Sequence, residues 1–325
     1  MNAGEARNRP QAGETFDRRA IPAAARESVW IASDGHAIRR IDWAPVSNAR
    51  GAILFLPGRG DAYEKYLETL HEWHRAGWYV TGADWRGQAG SGRLGADGIT
   101  GHVDDFGDWV DDLAQFWAQW ITETPGPHIV AGHSMGGHLV LRALAERRIA
   151  PAAAILSAPM LEFTGAKLPH RIMHGAARMM KRLRGATTPA WKWSEKPGEM
   201  PLDRINLLTH DADRYADELF WRDHRPQLVM GPGSWGWVER AYVSMGAVFA
   251  PGLLEQVDTP VLLIATSNDR LVDMAAIERA ANRLPNGALL AFGDEARHEL
   301  LREVDAVRDR AMAAIARFLD DVAPK

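Results

Sequence analysis

The apolar residues of this chain are grouped in short runs, and amphipathic stretches separate the runs from one another. Runs of this length are typical of strands, and those with almost no polar position are typical of strands buried on both faces. They cover residues 51–56, 78–84, 128–131, 152–157, 261–266 and 288–292. Between them, apolar residues recur at helical spacing, as at Tyr66, Leu70 and Trp73. The alternation predicts an α/β fold with helices flanking a mostly parallel central sheet.

Other parts of the chain depart from this alternation. Residues 28–43 predict a β-hairpin around the turn Asp34-Gly35, which adds two strands before the first buried run. Residues 1–13 are polar, and we expect a loosely ordered N-terminal tail there.

The middle of the chain is irregular from residue 158 to residue 255, where prolines, tryptophans and short helical pieces replace the strand pattern. We therefore predict a core formed by residues 14–157 and 256–325, with residues 158–255 inserted after the sixth strand as a helical cap. Such a cap would cover the carboxyl ends of the strands, where ligands bind in parallel sheets.

A candidate nucleophile lies where the strand at 128–131 meets the following helical pattern. Gly132, Ser134 and Gly136 form the pattern G-x-S-x-G in a strand–turn–helix context, which is the context that a nucleophile elbow requires. Small neighbours allow the strained turn, and the helix N-terminus favours a developing oxyanion. We expect Ser134 to be the nucleophile and the N–H of Met135 to be one oxyanion donor.

A nucleophilic serine needs a base, and the base needs an acid that orients it. In this type of fold the acid and the histidine follow the serine along the chain. The loops after the last two predicted strands offer Asp269 first and Asp273 second as the acid, and His298 as the base. The second oxyanion donor is expected in the loop after the strand at 51–56, at the N–H of Arg59.

Composition excludes several classes of function. The formal net charge of −4 gives no electrostatic reason to expect nucleic acid as a partner. The absence of cysteine excludes disulfides, thiolate catalysis and zinc sites built on cysteine. A polar N-terminus and the lack of a long apolar run lead us to expect a cytoplasmic protein. The expected chemistry requires neither a cofactor nor a metal.

Residues 168–184 mix apolar side chains with arginines at helical spacing, and two interpretations stay open. One is a basic amphipathic helix that rests on an anionic membrane, so that the cap makes peripheral membrane contact. The other, which we favour, is a lid helix with its apolar side on the pocket. The 13 tryptophans of the chain indicate an aromatic-lined pocket or packing under such a lid.

Taken together, these motifs resemble the α/β-hydrolase superfamily, and within it the monoacylglycerol lipase and lysophospholipase group of serine hydrolases. The matching segments are residues 56–60 with 64–66, 84–88, 132–137, 267–272 and 298–301. Residues 84–88 with 91–93 and 101–103 look especially like the bacterial lysophospholipase L2 type. Pro57 and Ala89 depart from the usual family residues, histidine and glycine. The resemblance implies an α/β-hydrolase fold and favours Asp269 over Asp273 as the acid.

The sequence therefore predicts a serine hydrolase that cleaves carboxylic esters of small lipid-like molecules, monoacylglycerols or lysophospholipids, through an acyl-enzyme on Ser134. An esterase, amidase or lactonase for a small soluble substrate is the alternative enzyme. A non-catalytic member of the fold that carries a ligand is the alternative from another class.

Overall fold

The computed structural model describes residues 16–45, 49–165, 168–192 and 202–322. Its strands are β1 (Ala25–Ile31), β2 (Ala37–Trp43), β3 (Ala52–Leu56), β4 (Tyr79–Ala83), β5 (His128–His133), β6 (Ala153–Ser157), β7 (Val261–Thr266) and β8 (Gly287–Phe292). Together they form one eight-stranded sheet in the order β1-β2-β4-β3-β5-β6-β7-β8.

The sheet is parallel except at one edge. β1 and β2 form the predicted hairpin, with Gly35 at φ +87° in its turn, and β2 pairs antiparallel with β4. From β4 to β8 all pairings are parallel. The strands β3, β6 and β7 are buried along their whole length, as their uninterrupted apolar runs predict. The predicted mostly parallel sheet is therefore confirmed.

The helices of the described residues are α1 (Leu67–Arg75), α2 (Phe106–Glu123), α3 (Met135–Ala145), α4 (His170–Arg184), α5 (Leu202–Leu208), α6 (Ala212–His224), α7 (Trp235–Val248), α8 (Met274–Arg283) and α9 (Asp305–Val322). Helices α1–α3, α8 and α9 belong to the α/β alternation and flank the sheet. The spacing of Tyr66, Leu70 and Trp73 predicts a helix over residues 62–76. In the structure this segment begins as a 3-10 turn, Tyr63–Tyr66, and continues as α1.

The sequence also predicts a last helix over residues 300–319, and this prediction is wrong at its start. A 3-10 turn covers Leu300–Arg302, and α9 begins only at Asp305. Between them Glu303 has an extended backbone, and its carboxylate accepts hydrogen bonds from the N–H groups of Arg297 and Val304. The Glu303 side chain thus provides acceptors for two backbone N–H groups of the loop. These groups do not need a helix to form hydrogen bonds.

Helices α4–α7 lie between β6 and β7, so the predicted helical insertion after the sixth strand is confirmed. The division of the chain at residues 14, 158 and 256 stays a prediction, and the predicted tail at residues 1–13 lies outside the described residues. No helix in the described part of the chain is both long enough and apolar enough to cross a membrane.

Candidate active site

Ser134 lies in the sharp turn that joins β5 to α3. Its backbone adopts φ +52° and ψ −116°, a strained conformation for a residue with a side chain. A Cβ on Gly132 would lie 2.7 Å from the backbone of Gly136 and Gly137, and one on Gly136 would lie 2.4 Å from the carbonyl oxygens of Leu56 and Pro57. Glycine is therefore required on both sides of the serine, because the turn packs directly against β3.

The hydrogen bonds around the turn tie Ser134 to β6, to α3 and to the segment that follows β6. Its N–H donates to Ser157 O over 2.9 Å, and its carbonyl accepts from His138 N and Met160 N over 3.0 and 2.9 Å. Met135 is the first residue of α3, so its N–H has no acceptor within the helix. That N–H and the positive helix end can together stabilise negative charge beside Ser134.

The loop after β3 approaches the nucleophile closely through its glycines. A Cβ on Gly58 would lie 3.1 Å from Ser134 Cβ, so the backbone of this loop lies directly beside the serine. Arg59 follows, and the N–H of Gly60 donates to Gln88 Oε1 over 2.7 Å. The amide nitrogen of Gln88 lies 3.8 Å from the sulfur of Met135. Gln88 thus links the two segments that carry the expected oxyanion donors.

His298 and Asp269 come together from the loops after β8 and β7. His298 Nδ1 donates to Asp269 Oδ2 over 2.7 Å, and Asp269 Oδ1 accepts from the N–H groups of Leu271 and Val272. The Asp273 carboxylate instead accepts from Ala275 N over 2.8 Å and caps α8. With Nδ1 held by Asp269, Nε2 of His298 is the nitrogen that can take a proton from a substrate or nucleophile.

The electrostatics of this pair suit a general base. Burial lowers the pKa of His298, but the charge and hydrogen bond of Asp269, with Glu299 and Asp61, outweigh it and leave the pKa above 6.5. Burial and the neighbouring charge of His298 lower the pKa of His133 well below 6.5. The two rings lie 4.8 Å apart, so His133 is a neutral support for His298.

Ser134 and His298 line the same cavity, which has a volume of about 680 Å³. Most of its wall is apolar and comes from the cap and the neighbouring loops: Met160, Phe163, Trp191, Trp235, Trp237, Val238, Leu271 and Val272. Charged side chains line the remainder: Arg59, Asp61, Lys65, Arg204 and Glu299. The cavity can therefore hold an amphiphile, with an apolar chain and a polar group at different walls.

Our favoured interpretation of residues 168–184 as a lid over the pocket is wrong. None of the described residues that line the cavity belongs to α4. The helix packs on α7, with Ala177 buried and the side chains of His174 and Lys181 bonded to Glu239. The inward face of α4 thus forms hydrogen bonds with α7, and the apolar residues Ile172, Met179 and Leu183 are exposed on the outward face.

A buried ion cluster, which was not predicted from the sequence, adjoins the Asp269–His298 pair. Lys65 Nζ lies 2.9 Å from Asp61, 3.0 Å from Glu218 and 2.7 Å from Glu299. Asp61, His133 and Glu299 also bring potential metal-ligand atoms within 4.8 Å of one another. Because the Lys65 ammonium lies against both carboxylates, the chain itself supplies the positive charge that this group needs.

Part of this cluster had a signal in the sequence. Asp61 and Lys65 are four residues apart at the start of the helical stretch predicted over residues 62–76, a spacing at which opposite charges meet. Gln88 belonged to a matching motif, but the motif alone does not say what its amide contacts. The contact of Lys65 with Glu218 joins residues far apart in the chain, and no local pattern predicts it.

Comparison with known proteins identifies the family. A family model described as serine aminopeptidase, S33, matches residues 47–305. The chain belongs to this family. Lysophospholipase L2 of Escherichia coli K12 is 32% identical to this S33 chain over 281 residues, which cover 82% of the chain and 80% of the relative. The monoacylglycerol lipase of Mycolicibacterium smegmatis is 23% identical over 246 residues, which cover 74% and 78%.

Solved structures show the same fold. A soluble variant of monoglyceride lipase from Saccharomyces cerevisiae aligns with a TM-score of 0.71 at 18% identity, covering 94% of the S33 chain and 99% of that structure. A carboxyl esterase from Bacillus coagulans aligns with a TM-score of 0.70 at 17% identity, covering 93% and 100%. The α/β-hydrolase fold implied by the sequence motifs is therefore confirmed.

Proposed function

We propose that this S33 hydrolase cleaves carboxylic esters of lipid-like molecules, with Ser134, His298 and Asp269 as its catalytic residues. The observation that carries the proposal is the Asp269–His298 pair on the wall of an apolar cavity that also contains Ser134. The names of the relatives, lysophospholipase and monoacylglycerol lipase, point to the same class of substrate.

The reaction follows from the arrangement of these groups. His298 Nε2 accepts the proton of Ser134 Oγ as this oxygen attacks the ester carbonyl, and Asp269 stabilises the imidazolium. The N–H groups of Arg59 and Met135 donate to the oxyanion of the tetrahedral intermediate. His298 then protonates the leaving alcohol, and afterwards it activates a water molecule that releases the acid from the acyl-enzyme.

The charges of the cavity favour an ester over a peptide with a free amino terminus. A terminal ammonium group needs an acidic partner when it is buried. Among the described residues that line the cavity, the acidic side chains are Asp61 and Glu299, and both contact Lys65. Glu299 also pairs with Arg302, and Asp61 accepts from the hydroxyl of Tyr66. Both carboxylates therefore already have partners, so the cavity suits a neutral or zwitterionic amphiphile better than an aminopeptidase substrate.

We further propose that the cap contacts membranes through the exposed side of α4. Ile172, Met179 and Leu183 are 53%, 56% and 71% exposed, and their spacing puts them on one face of the helix. Arg171, Arg178 and Arg182 are exposed along the next stripe of the same helix. Apolar side chains beside a row of cations are the chemistry that binds an anionic lipid surface.

The proposed reaction is tested with matched substrates. We would compare wild type with Ser134→Ala on a monoacylglycerol and a lysophosphatidylcholine of equal chain length, and on a short p-nitrophenyl ester. We expect turnover of at least one lipid by wild type and a loss of at least about 10³-fold in Ser134→Ala, since the nucleophile is removed. The unfolding midpoint of the variant serves as the control for folding.

Other results would support the alternatives. Ser134-dependent turnover of the short ester alone would retain the catalytic residues and replace the lipid by a small soluble ester. Turnover that survives in Ser134→Ala, or a wild-type protein that a serine-directed fluorophosphonate does not label, would refute the serine hydrolase and leave a ligand-binding member of the fold.

A further inference from the structure

The side chain of Arg59 points away from the proposed oxyanion site and into the cap. Its Nη2 donates to the carbonyl of Gly231 over 2.7 Å. The guanidinium carbon lies 5.0 Å from the ring centre of Trp191 and 5.1 Å from that of Trp237. The two rings are nearly perpendicular, at 78°, so the guanidinium occupies the corner between them. Such contacts combine a charge-assisted hydrogen bond with two cation–π interactions.

The acceptor of this hydrogen bond is itself firmly held. Gly231 N donates to Ile99 O over 2.8 Å, and Gly101 N donates to Pro232 O over 2.9 Å. A Cβ on Gly101 would lie 2.8 Å from Arg59 Nη2, so the loop at residues 99–101 also packs against the guanidinium. The guanidinium of Arg59 is therefore held by a cap segment that is itself hydrogen-bonded to the loop at residues 99–101.

The backbone of Arg59 lies between two glycines. Gly58 precedes it and Gly60, at φ +64°, follows it, and glycine restricts the chain least of all residues. The bond from Gly60 N to Gln88 fixes one side of the loop, but the local sequence does not by itself fix the direction of the Arg59 N–H. The side chain supplies a second restraint on that residue.

We infer that the side chain of Arg59 is a positioning group that aims its own backbone N–H at the oxyanion, using Gly231, Trp191 and Trp237 of the cap as its support. The inference rests on the proposed function, because it assumes that this N–H is an oxyanion donor. Since the oxyanion exists only at and after the transition state, a misdirected N–H lowers kcat and leaves KM almost unchanged.

The test uses Arg59→Met, which keeps the aliphatic stem and removes the guanidinium, and a short p-nitrophenyl ester as substrate. We expect kcat to fall by about 10-fold, less than the 10²–10³-fold that loss of a whole oxyanion donor costs. KM should stay within about twofold, and binding of a trifluoromethyl ketone, which forms a tetrahedral adduct on a serine, should weaken by the same factor as kcat. Arg59→Lys should recover part of kcat, because it can still donate to Gly231 O.

Arg93→Met is the matched control. Arg93 Nη2 donates to the carbonyls of Gln227 and Val229 over 2.7 Å each, so it anchors the same part of the cap but does not belong to the oxyanion loop. If Arg59→Met does not fold, Trp191→Leu removes one ring of the support at a half-exposed position and should show a smaller loss in kcat. Because Trp191 also lines the cavity, kcat and not KM is the readout for this variant.

Four outcomes would overturn the inference. A rise in KM with unchanged kcat would make the guanidinium a substrate-binding group. An equal loss of kcat in Arg93→Met would assign the effect to general loosening of the cap. Full activity in both Arg59→Met and Trp191→Leu would leave the side chain without a role. Esterase activity that survives in Ser134→Ala would refute the proposed function itself, and the Arg59 inference with it.

Discussion

Asp269 and Asp273 follow the same strand, and their carboxylates serve different partners. Asp269 accepts from the His298 imidazole and from two backbone N–H groups, so it is held in one orientation. Asp273 accepts from Ala275 N at the start of α8. Asp269 therefore has a proposed catalytic role, whereas Asp273, four residues later, caps a helix.

Replacement of each aspartate by asparagine separates these roles. We expect Asp269→Asn to lower kcat by about 10³–10⁴-fold, because an amide cannot hold His298 in the required tautomer or stabilise its positive charge. Asp273→Asn should keep kcat within about twofold of wild type, because asparagine caps helices as well as aspartate does. The measurement is kcat on the preferred ester, and a larger loss in Asp273→Asn would reverse the assignment.

The pH profile of the same variants provides a second measurement. His298 must be neutral to accept a proton, so kcat/KM falls as the pH drops through its pKa, which Asp269 and its neighbours hold above 6.5. Removing the negative charge of Asp269 lowers the pKa of His298, so the acid limb should move to lower pH. An acid limb that does not move in Asp269→Asn would mean that another group controls it.

At the scale of the element, α4 has one face packed on α7 and one face exposed to solvent. The inward face contacts α7 through Ala177 and the polar contacts of His170, His174 and Lys181. The outward face exposes apolar residues, which cost free energy in water unless something covers them. An anionic lipid surface would cover them and pair with the arginines beside them.

Vesicle binding tests this face of α4. We expect wild type to bind vesicles of phosphatidylglycerol and phosphatidylcholine more tightly than vesicles of phosphatidylcholine alone, with binding that weakens as salt rises. Leu183→Asp should weaken binding by about 10-fold or more, because an apolar contact is lost and a like charge is added. Ile121→Asp, on the exposed side of α2, is the matched control. Equal binding by the two variants would contradict the proposal.

At the scale of the whole molecule, Lys65 joins parts of the chain that build the candidate active site. Its ammonium contacts Asp61 from the loop after β3, Glu218 from α6 of the cap, and Glu299 next to His298. Burial raises the pKa of Glu299, but Lys65 and Arg302 outweigh it and hold the pKa below 4.5. The cluster is therefore charged at neutral pH, and its parts depend on one another.

Lys65→Met should lower the free energy of unfolding by about 3–5 kcal/mol at neutral pH, because it removes the cation that three buried carboxylates share. Arg148→Met, which breaks an exposed ion pair with Asp111, should cost less than about 1 kcal/mol. Urea unfolding measures both.

The pH dependence of the free energy of unfolding provides a second test of the role of Lys65. In wild type the depressed pKa of Glu299 stabilises the fold above the unfolded pKa, and this stabilisation is lost as the pH falls. In Lys65→Met the pKa of Glu299 is expected to be higher than in wild type, because the charge that lowers it most is gone, so less stabilisation is lost on acidification. The difference in the free energy of unfolding between wild type and Lys65→Met should therefore become smaller at low pH. A difference that grows as the pH falls would contradict this explanation.

The sequence by itself determined the features that depend on neighbours along the chain. Buried strands need uninterrupted apolar runs, and a nucleophile elbow needs glycines beside Ser134, so both are visible in local patterns. The candidates Asp269 and His298 also followed from position, because the carboxyl ends of parallel strands meet at one edge of the sheet.

The tertiary structure alone decided which surfaces and charges meet. The amphipathic pattern of residues 168–184 is compatible with either side of the cap, and only the packing of α4 on α7 turned its apolar stripe outward. Likewise, the contacts of Lys65 with Glu218 and Glu299 and the cap support of Arg59 join segments more than a hundred residues apart. Local periodicity shows that an element has an apolar side and a polar side. What each side contacts depends on how the whole chain packs.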